Sequence, residues 1–200
     1  MVAMTVLPEM PDETLEDVLR RFGDRLITVD DLVELPDNGF RFELDEGALV
    51  VNAAPSNFHQ LAATNLAHVL KNACPRGLAV VGAPEIVISP VQVRIPDLVV
   101  VPSKWFNPGH SGIPPVLAVE IASPSTKTYD RSRKMEIYAG FGIADYWIVT
   151  PDPKRPDITA FTLEGGKYRH RASAARAETF AAARPFLVSF APADLLDTGE

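Results

Sequence analysis

Two acidic residues stand where acids are expensive. The run Val116-Leu117-Ala118-Val119-Glu120-Ile121-Ala122 is apolar throughout except for Glu120, and Asp97 follows Ile95-Pro96 and leads directly into Leu98-Val99-Val100-Val101. A segment apolar on both faces reads as a central strand covered on both sides. A carboxylate there is costly unless a cation or hydrogen-bond donors compensate it. A structural ion pair would satisfy one such acid. Two acids at the ends of two core strands point further, to convergent hard oxygen ligands of the kind Mg²⁺ and similar ions take.

A cation is placed to meet them. At the helical period, Ile137, Tyr138 and Phe141 define one apolar arc with Lys134 in its middle; Asp130 lies a turn earlier on the same side and Arg131 at its edge. Arg133, Met135 and Glu136 point elsewhere. A lysine on a core-facing stripe either snorkels to solvent along the helix or meets Glu120 and Asp97. His59 shares the apolar arc of its own helix with Phe58, Ala62, Leu66 and Leu70, so it is either a satisfied core histidine or a hydrogen-bond partner of the acidic site. His68, His110 and His170 show no zinc-binding grouping, and the lone Cys74 excludes a disulfide framework or a cysteine-rich zinc site. Ser123, Ser125 and Thr126 have no activating base beside them and read as turn and cap residues around Pro124. No glycine-rich phosphate loop is present.

The elements that must hold these residues follow from pattern and punctuation. A short helix spans 14–22, acidic early, basic late and stopped by Gly23; a second starts at Thr28, with Asp31 at the third position, and ends before Pro36. Phe40, Phe42 and Leu44 alternate with Arg41 and Glu43, and Asp45-Glu46-Gly47 turns into Ala48-Leu49-Val50-Val51, a hairpin. Ser56 caps a longer helix to about Cys74. Strands are expected at 78–81, 85–88, 97–101, 116–122 and 146–149, a helix at 129–141, and further strands and turns from Asp157 on. This is an α/β arrangement, a mixed β-sheet flanked by α-helices. One domain is expected over 1–200: an extension at 1–27, a core at about 28–151, and C-terminal strands and turns at 152–200.

These residues together resemble a known pattern. Ile95-Pro96-Asp97 followed by Ala118-Val119-Glu120-Ile121 and a lysine is similar to the PD-(D/E)XK nuclease superfamily, although Ala122 stands where that pattern has its lysine. The longer series from Val119 to Thr126, with Tyr129-Asp130-Arg131, Lys134, Tyr138 and Asp145-Tyr146-Trp147-Ile148-Val149, resembles the Uma family of restriction endonuclease-like bacterial proteins. Arg41-Phe42-Glu43-Leu44, Gly47 and His59-Gln60 extend the likeness, which runs from about Thr28 to Pro151. It implies a restriction-endonuclease-like fold and a metal-dependent endonuclease acting on DNA. Asp97, Glu120 and the Ile121 carbonyl would then hold Mg²⁺ or Mn²⁺, and Lys134, migrated to the helix, would orient the attacking water or offset charge on the phosphate. Glu43 matches an acid near the metal, or is a solvent-facing hairpin residue. His59, Asp130 and Tyr138 would stand behind the ligands. A homodimer would let two sites address two strands.

Composition sets the limits. Hydrophobic residues make up 46% and charged residues 22% of 200, an ordinary globular balance. No apolar run approaches a membrane span, and the early prolines and acids break any secretion-signal layout, so a cytoplasmic protein without membrane partners is expected. The net charge of −7 argues against broad electrostatic adhesion to nucleic acid. It keeps two other functions in view: a non-catalytic module of this fold that binds nucleic acid or protein, and a hydrolase of small phosphate esters.

Overall fold

The apolar runs ending at Asp97 and Glu120 pair with each other. In the computed structural model, which describes residues 14–35, 41–52, 55–107, 112–122 and 130–199, they form two adjacent inner strands of a six-stranded sheet. Phe40, His110, Ser123, Ser125, Thr126 and Tyr129 lie outside the described residues, as do the side chains of Asp130 and Arg131.

The chain opens with α1 (Leu15–Phe22) and the single turn α2 (Val29–Leu32), then the hairpin β1 (Arg41–Asp45) and β2 (Ala48–Asn52). Helix α3 (Asn57–Ala73) follows, capped by Ser56 as its polarity requires. Next come β3 (Leu78–Gly82), β4 (Ile86–Ser89), β5 (Gln92–Arg94), β6 (Leu98–Pro102) and β7 (Leu117–Ile121). The expected helix at 129–141 is a wide π-type turn, Asp130–Lys134, running into α4 (Met135–Phe141). The chain closes with β8 (Asp145–Thr150), β9 (Asp157–Glu164), β10 (Lys167–Ala175), β11 (Phe180–Ala182) and β12 (Val188–Phe190).

The large sheet has the order β10-β9-β8-β7-β6-β3, with β7 and β8 parallel and the other neighbours antiparallel. A smaller sheet has the order β2-β1-β5-β4, and β11 and β12 form a separate ribbon. Strand β5, too short and too polar to show in the pattern, is what joins the hairpin to the rest.

Strand alternation sorts the core into two faces. Leu117, Val119 and Ile121 pack with Ala62, Leu66 and Leu70 of α3, together with Trp147, Val149 and the C-terminal ribbon. Ala118 and Ala122 pack with Tyr138, Ile143, Tyr146 and Ile148 on the opposite face, under α4. Glu120, between those two alanines in the alternation, therefore points to the α4 face. Phe58 departs from the expected arc: it is 46% exposed at the first turn of α3, before that helix meets the sheet. No helix among the described residues is long and apolar enough to cross a membrane.

The hairpin is locked onto its surroundings at its turn. Glu46 and Gly47 both have positive φ, 52° and 80°, the mirror-image turn whose twist suits a two-residue connection. The Gly47 carbonyl accepts from the Ile27 N–H at 2.9 Å, and its own N–H donates to Val91 at 2.8 Å. A Cβ at Gly47 would stand 2.7 Å from Leu26 Cβ, which cannot swing away. Gly47→Ala should therefore cost about 1–3 kcal/mol, from strain and clash together. Gly77→Ala, also at positive φ but with nothing within 4 Å, should cost less; urea denaturation of the two variants checks the order.

Candidate active site

Four chain segments deliver the site. Strand β7 brings Glu120, the β5–β6 connection brings Asp97, β1 brings Glu43, and the π-type turn before α4 brings Lys134. In the β6–β7 ladder Leu98 faces Val119, so Asp97 and Glu120 stand one step further along, at the same end of the two strands. Asp97 is fixed there because its Oδ2 accepts the Ile121 backbone N–H at 2.7 Å.

Lys134 does not snorkel. It is 7% exposed, and its Nζ lies 2.8 Å from Glu120 Oε2 and 3.8 Å from Glu43 Oε1. The wide turn at 130–134 aims it inward, as such turns often do at functional sites. Glu120 is 4% exposed, and its other oxygen accepts a 2.6 Å hydrogen bond from the Tyr138 hydroxyl, one helical turn beyond Lys134. Burial, followed by the neighbouring Glu120 charge, pushes the Tyr138 phenol well above its ordinary range.

Glu43 is not the solvent-facing hairpin residue that alternation alone allows. It is 1% exposed, and its Oε1 accepts the Ile95 N–H at 2.8 Å, tying β1 to the segment that carries Asp97. His59 reaches the site from α3, with Nε2 3.2 Å from Asp97 Oδ1. The structure thus brings Glu43, Glu120, Lys134 and Tyr138 into one set of contacts and His59 and Asp97 into a second, the two joined through the backbone N–H groups of Ile95 and Ile121. It places the Ile121 backbone beside Asp97 through its N–H. Among the described residues, no group of three or more His, Cys, Asp or Glu side chains is placed to hold a metal ion.

Sequence reasoning missed a second charged layer. Arg94 is fully buried, with Nη2 2.9 Å from Asp45 Oδ1 and bonds to the carbonyls of Leu44 and Val93. Arg133 grips Asp45 with both Nε, at 3.2 Å, and Nη2, at 2.8 Å, and reaches Glu46 at 2.6 Å. Adjacent residues of one turn therefore bind two positions of β1 two residues apart, Arg133 at Asp45 and Lys134 at Glu43. The available signal was the alternation of Glu43 and Asp45 on one face of β1.

The fold is a mixed sheet with helices on both faces. The crystal structure of a protein described as a "putative nuclease belonging to DUF820", from Anabaena variabilis ATCC 29413, shares it: the TM-score is 0.69 over 85% of this chain and 97% of that one, at 16% identity. A family model described as "Uma2: Putative restriction endonuclease" matches residues 29–193, and the chain belongs to that family. No curated protein matches the chain.

The Tyr138–Glu120 bond has a pH signature. A phenol whose folded value lies above its usual 10 stabilises the fold fully below that pH. Above it the unfolded chain releases the proton that the folded chain keeps, so stability falls as pH rises toward the folded value. Denaturation midpoints should decline above about pH 10. In Tyr138→Phe the decline should be shallower. That variant should also lose about 1–3 kcal/mol at neutral pH, because one oxygen of buried Glu120 loses its donor.

Proposed function

We propose that the protein is a metal-dependent endonuclease that hydrolyses DNA phosphodiester bonds at the Asp97–Glu120–Lys134 site. The observation that carries the reading is the ammonium of Lys134 held 2.8 Å from a buried carboxylate at the end of a central strand. A domain selected only for stability gains by replacing such a pair with apolar residues. Family membership and fold support the same reading.

The donor set suits a hard divalent ion. Mg²⁺ is usually held by one or two carboxylates, its other positions taken by water and substrate phosphate, so an open pair such as Asp97 and Glu120 fits better than a closed cage. With the Ile121 carbonyl they would hold Mg²⁺ or Mn²⁺, which when bound lowers the pKa of a water and offsets phosphate charge. The chain's own residues do the rest. The Ile121 N–H orients Asp97, and the Tyr138 hydroxyl holds Glu120. Lys134, a point charge in a water-poor site, stabilises negative charge developing on the phosphate oxygens. Glu43, 3.8 Å from the same ammonium, keeps it directed inward. Asp130 belongs to the same turn as Lys134 and is assigned a supporting role there.

The net charge of −7 favours a second reading, a binding module of the same fold. Plasmid nicking with Mg²⁺ or Mn²⁺, alongside calorimetric titration with Mn²⁺, separates the two. Wild type should nick, weakly at physiological salt because an acidic chain makes few phosphate contacts, and more strongly as salt falls and those contacts are less screened. Asp97→Ala and Glu120→Gln should lose Mn²⁺ binding and cleavage together. Lys134→Ala should keep or strengthen Mn²⁺ binding while cleavage falls about 10²–10³-fold, and Mn²⁺ should raise its melting temperature more than that of wild type. Metal binding without cleavage of any DNA form would sink the nuclease reading and leave the module or a small phosphate-ester hydrolase.

A further inference from the structure

Among the described residues, His59 of the site keeps a buried polar atom without a partner. Its Nε2 faces Asp97 Oδ1 at 3.2 Å, while its Nδ1 is buried and has no hydrogen-bond partner among the described residues. Either protonation pattern of the ring leaves that nitrogen unsatisfied, which folding alone does not favour. Phenylalanine would fill the same apolar arc of α3 without that cost. The ring is nonetheless placed at the first turn of the helix, 14% exposed, against an acid whose other oxygen is already held by the Ile121 N–H. Ser56 reinforces the placement, since its hydroxyl accepts the His59 backbone N–H at 3.3 Å and fixes where the helix begins.

We infer that His59 is a positioning residue for Asp97. The backbone of β7 holds one carboxylate oxygen and the imidazole stands against the other, which favours one orientation of the carboxylate. Such a clamp matters for a ligand and little for a fold: Asp97 is itself partly open to solvent, and water could satisfy it. Partners behind a metal ligand orient it and raise its basicity, and removing one typically weakens metal binding by about 10–100-fold. This inference rests on the reading of Asp97 as a cation ligand.

The test compares His59→Phe, His59→Gln and Asp97→Ala in the full chain, by calorimetric titration with Mn²⁺ and by thermal denaturation without metal. His59→Phe should melt at or above the wild-type temperature, because the orphaned nitrogen is gone. It should bind Mn²⁺ about 10–100-fold more weakly. Glutamine, whose amide can replace the Nε2 donor, should restore affinity to within about threefold, a rescue that a packing role does not produce. Asp97→Ala should abolish binding. Wild-type affinity in His59→Phe, with binding lost in Asp97→Ala, overturns the positioning role alone. Unchanged affinity in Asp97→Ala overturns it together with the assignment of Asp97 as a ligand. Lower stability with intact affinity in His59→Phe identifies a core histidine instead.

Discussion

A buried ammonium between carboxylates is the constraint around which the rest is arranged. Lys134 and Glu120 are both nearly inaccessible to water, and neither is tolerable alone in that environment. Their 2.8 Å contact compensates each charge and commits the turn before α4 to one position over the sheet. Once Lys134 is fixed, Tyr138 one turn later must meet Glu120, and its hydroxyl does so at 2.6 Å. Two contacts to one carboxylate therefore set both the angle and the rotation of α4.

The same constraint couples the two sheets. Glu43 contributes to the surroundings of the Lys134 ammonium, yet it belongs to the hairpin sheet, and its 2.8 Å bond to the Ile95 N–H pins the chain just before Asp97. Arg133 closes the loop from the other side by gripping Asp45. Buried Arg94, bonded to Asp45 and to the carbonyls of Leu44 and Val93, stiffens the β1–β5 junction beneath. The small sheet meets its surroundings by two apolar contacts: Leu44 and Val93 pack with Val18, Phe22 and Ile27 of the N-terminal segment, and Ile86 of β4 packs with Val99 and Val101 of the large sheet. Charge pairing at β1 therefore adds to the apolar contact at β4 in aligning the hairpin over the site.

For an acidic chain this economy is informative. Several acids, Asp31 with Arg25 and Asp45 with Arg94 and Arg133 among them, are held in ion pairs that support the frame. The charge balance of the whole chain thus describes its surface poorly as a guide to its site, where an inward-facing lysine and the ends of two strands define the local field.

Asp97 and Glu120 were legible from sequence because burial of a strand is written in consecutive apolar residues, and an acid in such a run announces itself. The caps were legible for a similar reason: Thr28 and Ser56 each act within a few residues of chain, whereas Thr14, expected inside the first helix, is its N-cap. Lys134 was visible as a cation on an apolar arc, although periodicity could not decide between solvent and carboxylate. That decision belonged to the tertiary structure, as did the burial of Glu43, which alternation left as compatible with water. The pairings of Arg94 and Arg133 escaped notice because their partner Asp45 lies about 49 and 88 positions away, on a hairpin whose docking no local pattern encodes. Local sequence specifies which groups would be costly to bury; only the assembled chain determines which of those costs are met, because the compensating charge arrives from a distant strand.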